Sequence, residues 1–290
     1  MRLRWIMLGV ALAAAVGCRR PEPTPAPPPR LVTAAPHITE IAFDMGLGDH
    51  VVGVSRYCIL PPGERRTIIG DALRINSEAI LVEKPDAVFF NTRRSDFALL
   101  ERLKPDVKFV RMENRTLEEL RRGIAAMGRA VGREDLSDAM LARMDARLAT
   151  VAAAVADRPR RRVLLLQGYV RPSTIGSGWL TDELITVAGG ANAAAEAGLR
   201  SWAVINLETI RSLQPEVIIC LVAPGEESLA RARAFWDRRR ELEAVRAGRV
   251  FVTDDRRLTI PGSQVARTAE MLARMIHPEA YETAGEPADE

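Results

Sequence analysis

The sequence predicts an α/β protein with two similar lobes of mostly parallel strands, joined by a long helix. Three observations predict this class. Short apolar strand patterns alternate with amphipathic helix patterns in both halves of the chain, which is typical of βαβ units. Between the halves, residues 116–157 contain no strand pattern. Asn76-Ser77-Glu78 and Asn206-Leu207-Glu208 each begin a short apolar helix that leads through a proline turn into a strand, so the chain contains an internal repeat.

The first lobe, residues 31–132, begins with the strand LVTAA and a helix from Thr39 to Met45, followed by the strand VVGVS. The segment NSEAILVEKPDAVFF predicts a short helix capped by Asn76 or Ser77, then a turn and an apolar strand. A helix from Ser95 to Leu103, the strand VKFVRM and the helix TLEELRRGIAAMGRAVG complete this lobe.

The bridging segment, residues 133–158, predicts one helix from Glu134 to Asp157, because its apolar side chains recur near one face. These side chains are Met140, Met144, Leu148, Val151 and Val155. Pro159 follows and cannot continue a helix. A helix of this length between two α/β halves indicates a rigid connection.

The second lobe, residues 159–278, begins with the strand RRVLLLQGY and the helix WLTDELITVAGG. The segment NLETIRSLQPEVIICLV repeats the layout of helix, turn and strand seen in the first lobe. One helix from Glu226 to Ala244, the strand RVFVTD and a helix from Ser263 to Ile276 follow. Residues 279–290 are expected to form a frayed tail.

The first 18 residues predict an export signal. Arginines precede an apolar run that is too short to span a bilayer, and small residues precede Cys18. Because AVGC resembles a bacterial lipobox, Cys18 is expected to anchor an exported protein by a lipid on the periplasmic or cell-surface side. A plain signal peptide cut near Gly17 is the alternative. Residues 19–30 are rich in proline and predict an extended tether.

The composition is that of an ordinary globular protein, with 47% apolar and 27% charged residues. Lys and Arg number 41, and Asp and Glu number 38. Removal of Arg2 and Arg4 with the signal brings the two signs almost into balance. The charge therefore does not predict nucleic-acid binding.

Motifs for catalysis are missing from the sequence. It contains no Walker loop, no GxGxxG after a strand and no CxxC pair, and Gly176-Ser177-Gly178 lacks the spacing of a nucleophile elbow. His37, His50 and His277 do not have metal-ligand spacing. We therefore predict no catalytic residue, no metal site and no cofactor.

Aromatic residues at strand exits or loop ends predict a binding site instead. They are Tyr57, Tyr169, Trp179 and Trp202. Flat apolar faces in a cleft suit a large, flat, partly apolar ligand. The alternative is that Trp179 and Trp202 pack in the core or between the lobes.

Two cysteines follow the signal segment. Cys58 lies beside Tyr57, whereas Cys220 lies in an apolar run that predicts a buried strand in the other half. An exported protein can form disulfides, but this bond would lock the two halves together. We expect Cys58 and Cys220 to be unpaired.

Five segments resemble the periplasmic substrate-binding proteins of ABC importers for cobalamin, haem and iron chelates. They are APHITEIAFDMGLGDHVVGVSRYCILPP, INSEAILVEKPDAVFF, GWLTDELITVAGGANAA, WAVINLETIRSLQPEVII and PGSQVARTAEMLARMIHPE. The resemblance covers residues 31–278 and is greatest to the cobalamin-binding members. It implies two Rossmann-like lobes joined by one rigid helix, with the ligand in the cleft between them and no enzymatic step.

The resemblance also implies roles for single residues. Tyr57 and Trp202 match aromatic residues of the ligand site, and Trp179 and Cys58 are further candidates for it. The implied ligand is a small molecule, a corrinoid such as cobalamin.

Glu78 and Glu208 match the acidic residues, one on each lobe, that dock onto arginines of the permease. The alternative is that each only stabilises a helix N-terminus by its charge. The implied partners are an ABC permease with its ATPase subunits and the membrane, through the lipid anchor. The protein itself is expected to be a monomer.

The chain departs from the family pattern before its last helix, where Ile260-Pro261-Gly262-Ser263-Gln264 replaces Arg-Pro-Gly-Pro-Arg. Loss of these arginines favours a ligand less anionic than haem or a siderophore, although Arg256 and Arg257 could substitute. Ala72 and Asn91 lie near positions of further cleft aromatics in the cobalamin-binding members. A haem or ferric-siderophore binding protein is thus the alternative within the class. A chelatase-type enzyme and a membrane-associated scaffold are the other classes.

Overall fold

The computed structural model describes residues 29–71, 74–258 and 262–281. The predicted signal with Cys18, most of the tether, Ala72 and Ile260-Pro261 lie outside these residues. Within the described ranges, no helix is long and apolar enough to cross a membrane. The chain forms two α/β lobes with one sheet each, which confirms the predicted fold class.

In its described residues, the first lobe contains five strands and four helices. The strands are β1 (Leu31–Thr33), β2 (Val51–Val54), β3 (Thr67–Ile68), β4 (Ala87–Phe90) and β5 (Lys108–Arg111). The helices are α1 (Pro36–Asp44), α2 (Ser77–Glu83), α3 (Ala98–Leu103) and α4 (Leu117–Val131). The long helix α5 (Glu134–Ala154) follows.

The second lobe contains six strands and six helices among the described residues. The strands are β6 (Arg161–Gln167), β7 (Ser173–Ile175), β8 (Gly190–Asn192), β9 (Trp202–Val204), β10 (Val217–Leu221) and β11 (Val250–Thr253). The helices are α6 (Leu180–Val187), α7 (Ala193–Glu196), α8 (Leu207–Leu213), α9 (Glu226–Asp237), α10 (Glu243–Arg246) and α11 (Val265–Ile276).

The first sheet has the order β3-β2-β1-β4-β5 and is parallel throughout. The second has the order β11-β10-β6-β7-β9, with β8 also paired to β6. In it β6, β8, β10 and β11 are parallel, and β7 runs antiparallel to β6 and β9. Strands β4 and β10 are buried along their whole length, which explains their continuous apolar sequence.

The internal repeat is present at the level of hydrogen bonds. The Asn76 side chain accepts from the backbone N–H of Ala79 at 3.0 Å and caps α2. Asn206 accepts from the N–H of Thr209 at 2.9 Å and caps α8 in the same way. Asparagine is a preferred N-cap because its oxygen satisfies an N–H that the helix leaves unpaired. The sequence repeat therefore reflects two equivalent structural units.

One apolar core connects both lobes through α5. Met140, Met144, Leu148 and Val151 form the buried face of this helix. They belong to the same buried cluster as Phe89 of the first sheet and Ile219 of the second. The helix is thus packed against both lobes, and bending it would expose apolar surface to water.

Several predicted helix boundaries are wrong. The helix predicted from Thr39 begins at Pro36, and the helix predicted from Ser95 begins at Ala98. The helix predicted over 134–157 ends at Ala154, because residues 155–158 form a turn before Pro159, and the residue preceding a proline disfavours helical backbone. The helix predicted over 226–244 is interrupted between Asp237 and Glu243. Leu242 lies in this break and is buried. In a straight helix its side chain would not point to the face that buries Ala232 and Trp236. Strands β3, β7, β8 and β9 were missed because two or three residues show no periodicity.

Candidate functional site

Each sheet contains a point at which successive strands are added on opposite sides. In the first sheet β1 lies between β2 and β4. In the second, β6 pairs with β8 on one side and with β10 on the other. The carboxyl ends of the strands separate at such a point and leave the crevice in which open α/β sheets bind ligands. The fold therefore creates two candidate crevices, one in each lobe.

The crevice of the second lobe opens into a cavity of about 800 Å³. Its lining comes from the chain after β6, β10 and β11 and from α9. Tyr169 and Val170 supply apolar surface, and Arg171, Arg231 and Arg256 supply guanidinium groups. A cavity of this size and composition can hold a large ligand that has an apolar body and polar groups at its edge.

The crevice of the first lobe contains a neutral polar cluster. His37, Asn91 and Asn114 follow β1, β4 and β5. The Asn91 Nδ2 atom lies 3.1 Å from Asn114 Oδ1 and 3.4 Å from His37 Nε2. Burial lowers the pKa of His37 to about 4, although a hydrogen bond with the backbone of Met112 opposes this shift. The imidazole is therefore neutral near pH 7.

This cluster sets the polarity of the first crevice. A neutral imidazole has a single N–H, and its bond with the Met112 backbone leaves the other ring nitrogen to accept from Asn91. Each of the two N–H groups of the Asn91 amide thus meets one acceptor, either Asn114 Oδ1 or His37 Nε2. The Asn91 carbonyl oxygen then stays available as an acceptor for a ligand.

Tyr57 and Cys58 lie at the exit of β2 but differ in surroundings. Tyr57 is 63% exposed, and Ile59 beside it is equally open, so this exit presents apolar surface to solvent. The Cys58 sulfur lies 2.9 Å from Thr39 Oγ1 and 3.1 Å from Ser55 Oγ. Its thiol therefore contacts hydroxyl groups of its own lobe and stabilises the turn that carries Tyr57. Cys58 and Cys220 are both free thiols.

The two tryptophans predicted to bind ligand lie on other parts of the second lobe. Trp202 begins β9, pairs with Ile175 of β7 and is 43% exposed. Trp179 is half-buried and immediately precedes α6. Neither lines the cavity described above, whereas Tyr169 does. The structure thus does not bring Trp179 and Trp202 together with the second crevice.

Glu78 and Glu208 occupy equivalent, exposed positions. Each is the second residue of a seven-residue helix, α2 or α8, and follows the capping asparagine by two positions. In the described part of the chain, neither carboxylate forms an ion pair. Both are free to meet a basic partner surface.

The sequence did not predict His37, Asn114, Arg171 and Arg231 as crevice residues, whereas the family resemblance placed Asn91 near a cleft position. Their common feature is a position just after a strand or on the adjoining α9, a signal visible only once strand order is known. The described residues contain no group of three or more His, Cys, Asp or Glu side chains that could hold a metal ion.

Two α/β lobes with a crevice at the switch point of each sheet, joined by one packed helix, have the architecture of a solute-binding protein. The chain belongs to the periplasmic binding protein family, whose model matches residues 31–257.

Individual relatives agree with this family. The chain is 26% identical over 263 residues to an uncharacterized ABC transporter substrate-binding lipoprotein, YvrC, of Bacillus subtilis, covering 88% of this chain and 82% of that protein. It is 27% identical to a cobalamin-binding protein of Halobacterium salinarum, covering 86% of this chain and 70% of that protein. The solved apo structure of the periplasmic haem-binding protein RhuT from Roseiflexus sp. RS-1 superposes with a TM-score of 0.72 and 24% identity, covering 87% and 99% of the two chains.

Proposed function

We propose that this protein is the substrate-binding component of an ABC importer and captures a corrinoid between its two lobes. It then delivers the corrinoid to a membrane permease with ATPase subunits, without chemical change. The observation that supports the proposal most directly is the pair of crevices at the switch points of the two sheets. A ligand enclosed by both would contact each lobe at once.

The polarity of the first crevice favours a corrinoid. Cobalamin carries neutral primary amides around its ring, and these amides offer N–H donors. Asn91 offers an acceptor, and the neutral His37 and Asn114 beside it add no charge. Tyr57 supplies an exposed aromatic face against which a flat ring can pack. The cobalamin-binding relative is consistent with this choice.

Haem or a ferric siderophore is the second candidate. It is favoured by Arg171 and Arg256, which line the cavity of the second lobe and match carboxylate groups. Arg231 lines the same cavity but pairs with Glu227. Arg257 does not add to them, because it pairs with Asp255 and lowers the pKa of that carboxyl group.

Glu78 and Glu208 are proposed to dock onto arginines of the permease, one from each lobe. Two separated carboxylates fix the orientation of the complex and speed encounter more than they add affinity. Tyr57 is proposed to contact ligand and Cys58 to position Tyr57. Trp202 and Trp179 stay as further candidates for ligand contact, outside the lining of the second crevice. Cys18 is proposed to hold the monomer at the membrane surface.

A parallel titration tests the ligand assignment. The purified full-length chain is titrated with cyanocobalamin, haem and a ferric siderophore, and tryptophan quenching and the visible spectrum of each ligand are recorded. Saturable one-to-one binding of cyanocobalamin alone is the expected result. Binding of haem or siderophore without cyanocobalamin would contradict the corrinoid assignment.

A further inference from the structure

A second concavity, here called the arginine groove, lies on the second lobe. It has a volume of about 580 Å³ and lies between α8 and α9. Four arginines line it, and Glu241 is the single carboxylate in its lining. These arginines are Arg211, Arg231, Arg238 and Arg239. Arg211 pairs with Glu241 at 2.7 Å, and Arg231 pairs with Glu227, which lies outside this lining. The groove therefore has a surplus of positive charge.

Arg239 is held in place within the arginine groove. The carbon of its guanidinium group lies 3.1 Å from the centre of the Phe235 ring, and its Nη1 donates to the Phe235 carbonyl. Its Nε is buried and has no hydrogen-bond partner. Burial lowers the pKa of Arg239, and the nearby Arg211 and Arg238 lower it further, while Glu241 opposes them. Positively charged side chains thus surround the Arg239 guanidinium group, whose orientation is fixed by Phe235.

We propose that the arginine groove binds a phosphate group. A guanidinium fork matches phosphate oxygens with two parallel hydrogen bonds. A phosphate monoester carries a charge of about −1.5 to −2 near pH 7. It therefore neutralises more of the positive charge of the arginine groove than a single carboxylate does. Leu207 and Ala234 line the same groove and leave apolar surface for the carbon chain of a phosphate ester.

The proposal does not depend on the ligand of the cleft. Arg211, Arg238 and Arg239 do not line the cavity at the switch point, although Tyr169 and Arg231 border both sites. Free phosphate and the headgroup of an anionic lipid present the same chemistry. Separate arms of one experiment distinguish these two sources.

The first arm measures binding of inorganic phosphate to the full-length chain by calorimetry, with sodium chloride at equal ionic strength as reference. The double variant Arg211→Gln/Arg238→Gln changes two exposed side chains and should weaken phosphate binding about tenfold or more. The variant Arg143→Gln/Arg147→Gln removes the same charge from the exposed face of α5 and should bind as the unmodified chain does.

The second arm measures sedimentation with vesicles of phosphatidylglycerol and of phosphatidylcholine. Loss of phosphatidylglycerol binding in Arg211→Gln/Arg238→Gln, but not in the α5 control, identifies a lipid headgroup as one source. The variant Arg239→Lys keeps the charge but loses the planar guanidinium fork. It should therefore also weaken binding in whichever arm, phosphate or vesicle, shows binding by the unmodified chain. Equal losses in groove and control variants, or no phosphate-specific binding in either arm, would overturn the proposal. Unchanged urea midpoints in chloride show that the variants fold.

Discussion

Glu40 and Glu183 occupy equivalent positions in the two lobes, and each carboxylate accepts hydrogen bonds at the start of a helix in the opposite lobe. Glu40 Oε1 lies 2.6 Å from Ser263 Oγ and 3.1 Å from the N–H of Gln264, just before α11. Glu183 Oε2 lies 2.6 Å from the N–H of Leu117, the first residue of α4. Each lobe therefore caps the last helix of the other, and α5 is not the sole connection between the lobes.

These two caps are expected to stabilise the arrangement of the lobes. Glu40→Ala and Glu183→Ala each remove an acceptor at a helix N-terminus and should lower the free energy of unfolding by about 1 to 2 kcal/mol. Urea denaturation checks this. Glu134→Ala, at the exposed first turn of α5, is the control and should stay within about 0.5 kcal/mol. Equal effects at all three positions would show that the caps do not connect the lobes.

The docking proposal gives a prediction about association with the permease. Reversing both charges in Glu78→Lys/Glu208→Lys should abolish association, because each lysine would face an arginine of the permease. Ligand affinity should not change. Co-purification with the permease in detergent measures the first effect and a ligand titration the second. Glu118→Lys/Glu134→Lys makes the same charge change in the first turns of α4 and α5 and should leave association intact. Persistent association of the Glu78/Glu208 variant would refute the docking role.

Tyr57 is expected to contribute to ligand affinity and little to folding. Because its ring is largely exposed, Tyr57→Ala should leave the urea midpoint unchanged while raising the ligand Kd about tenfold. Trp202→Ala, which changes the second predicted aromatic contact, should act in the same direction in the same titration. Val82→Ala removes an equally exposed apolar side chain from α2 and serves as the control. An unchanged ligand Kd in Tyr57→Ala would show that the exit of β2 is not part of the ligand site.

His37 makes folding stability depend on pH. Its pKa is about 4 in the folded protein and near its ordinary value of 6.5 when unfolded, so the unfolded state binds more protons between these values. Stability should therefore fall as pH drops below 6.5, by roughly 2 kcal/mol at pH 5. Glu40 has the opposite effect, because burial raises its pKa and acid favours its folded, protonated form.

Replacing the imidazole of His37 tests whether this residue causes the pH dependence of the unfolding free energy. The unfolding free energy of His37→Asn, measured in urea from pH 4 to 7, should vary less with pH than that of the unmodified chain. His50→Asn serves as the control and should keep the full dependence. A His37→Asn curve as steep as the original would assign the effect to another group.

Much of the fold follows from the sequence. Helices α4 and α5, the buried strands β4 and β10, and the repeated units that contain α2 and α8 were predicted because each leaves a local pattern. Periodic apolar residues mark a buried face, and an asparagine before an apolar run marks a cap. These signals involve neighbours in the chain, so they can be recognised without knowing the topology.

The candidate site was predicted less completely. Tyr57, Glu78 and Glu208 are predicted site residues that the structure leaves exposed, and their roles stay predictions. The resemblance placed Asn91 near a cleft position, but its cluster with His37 and Asn114 was not predicted. These residues lie far apart in sequence and meet only when β1, β4 and β5 align.

The sequence by itself determined two α/β units, a long intervening helix and exposed aromatic and acidic residues near strand ends. Tertiary structure alone decided which strand ends form crevices, how Glu40 and Glu183 join the lobes, and where arginines of α8 and α9 converge. The reason is physical. Local hydrogen bonds and apolar periodicity are encoded within a few residues, whereas contacts between distant residues depend on strand order and leave no regular spacing.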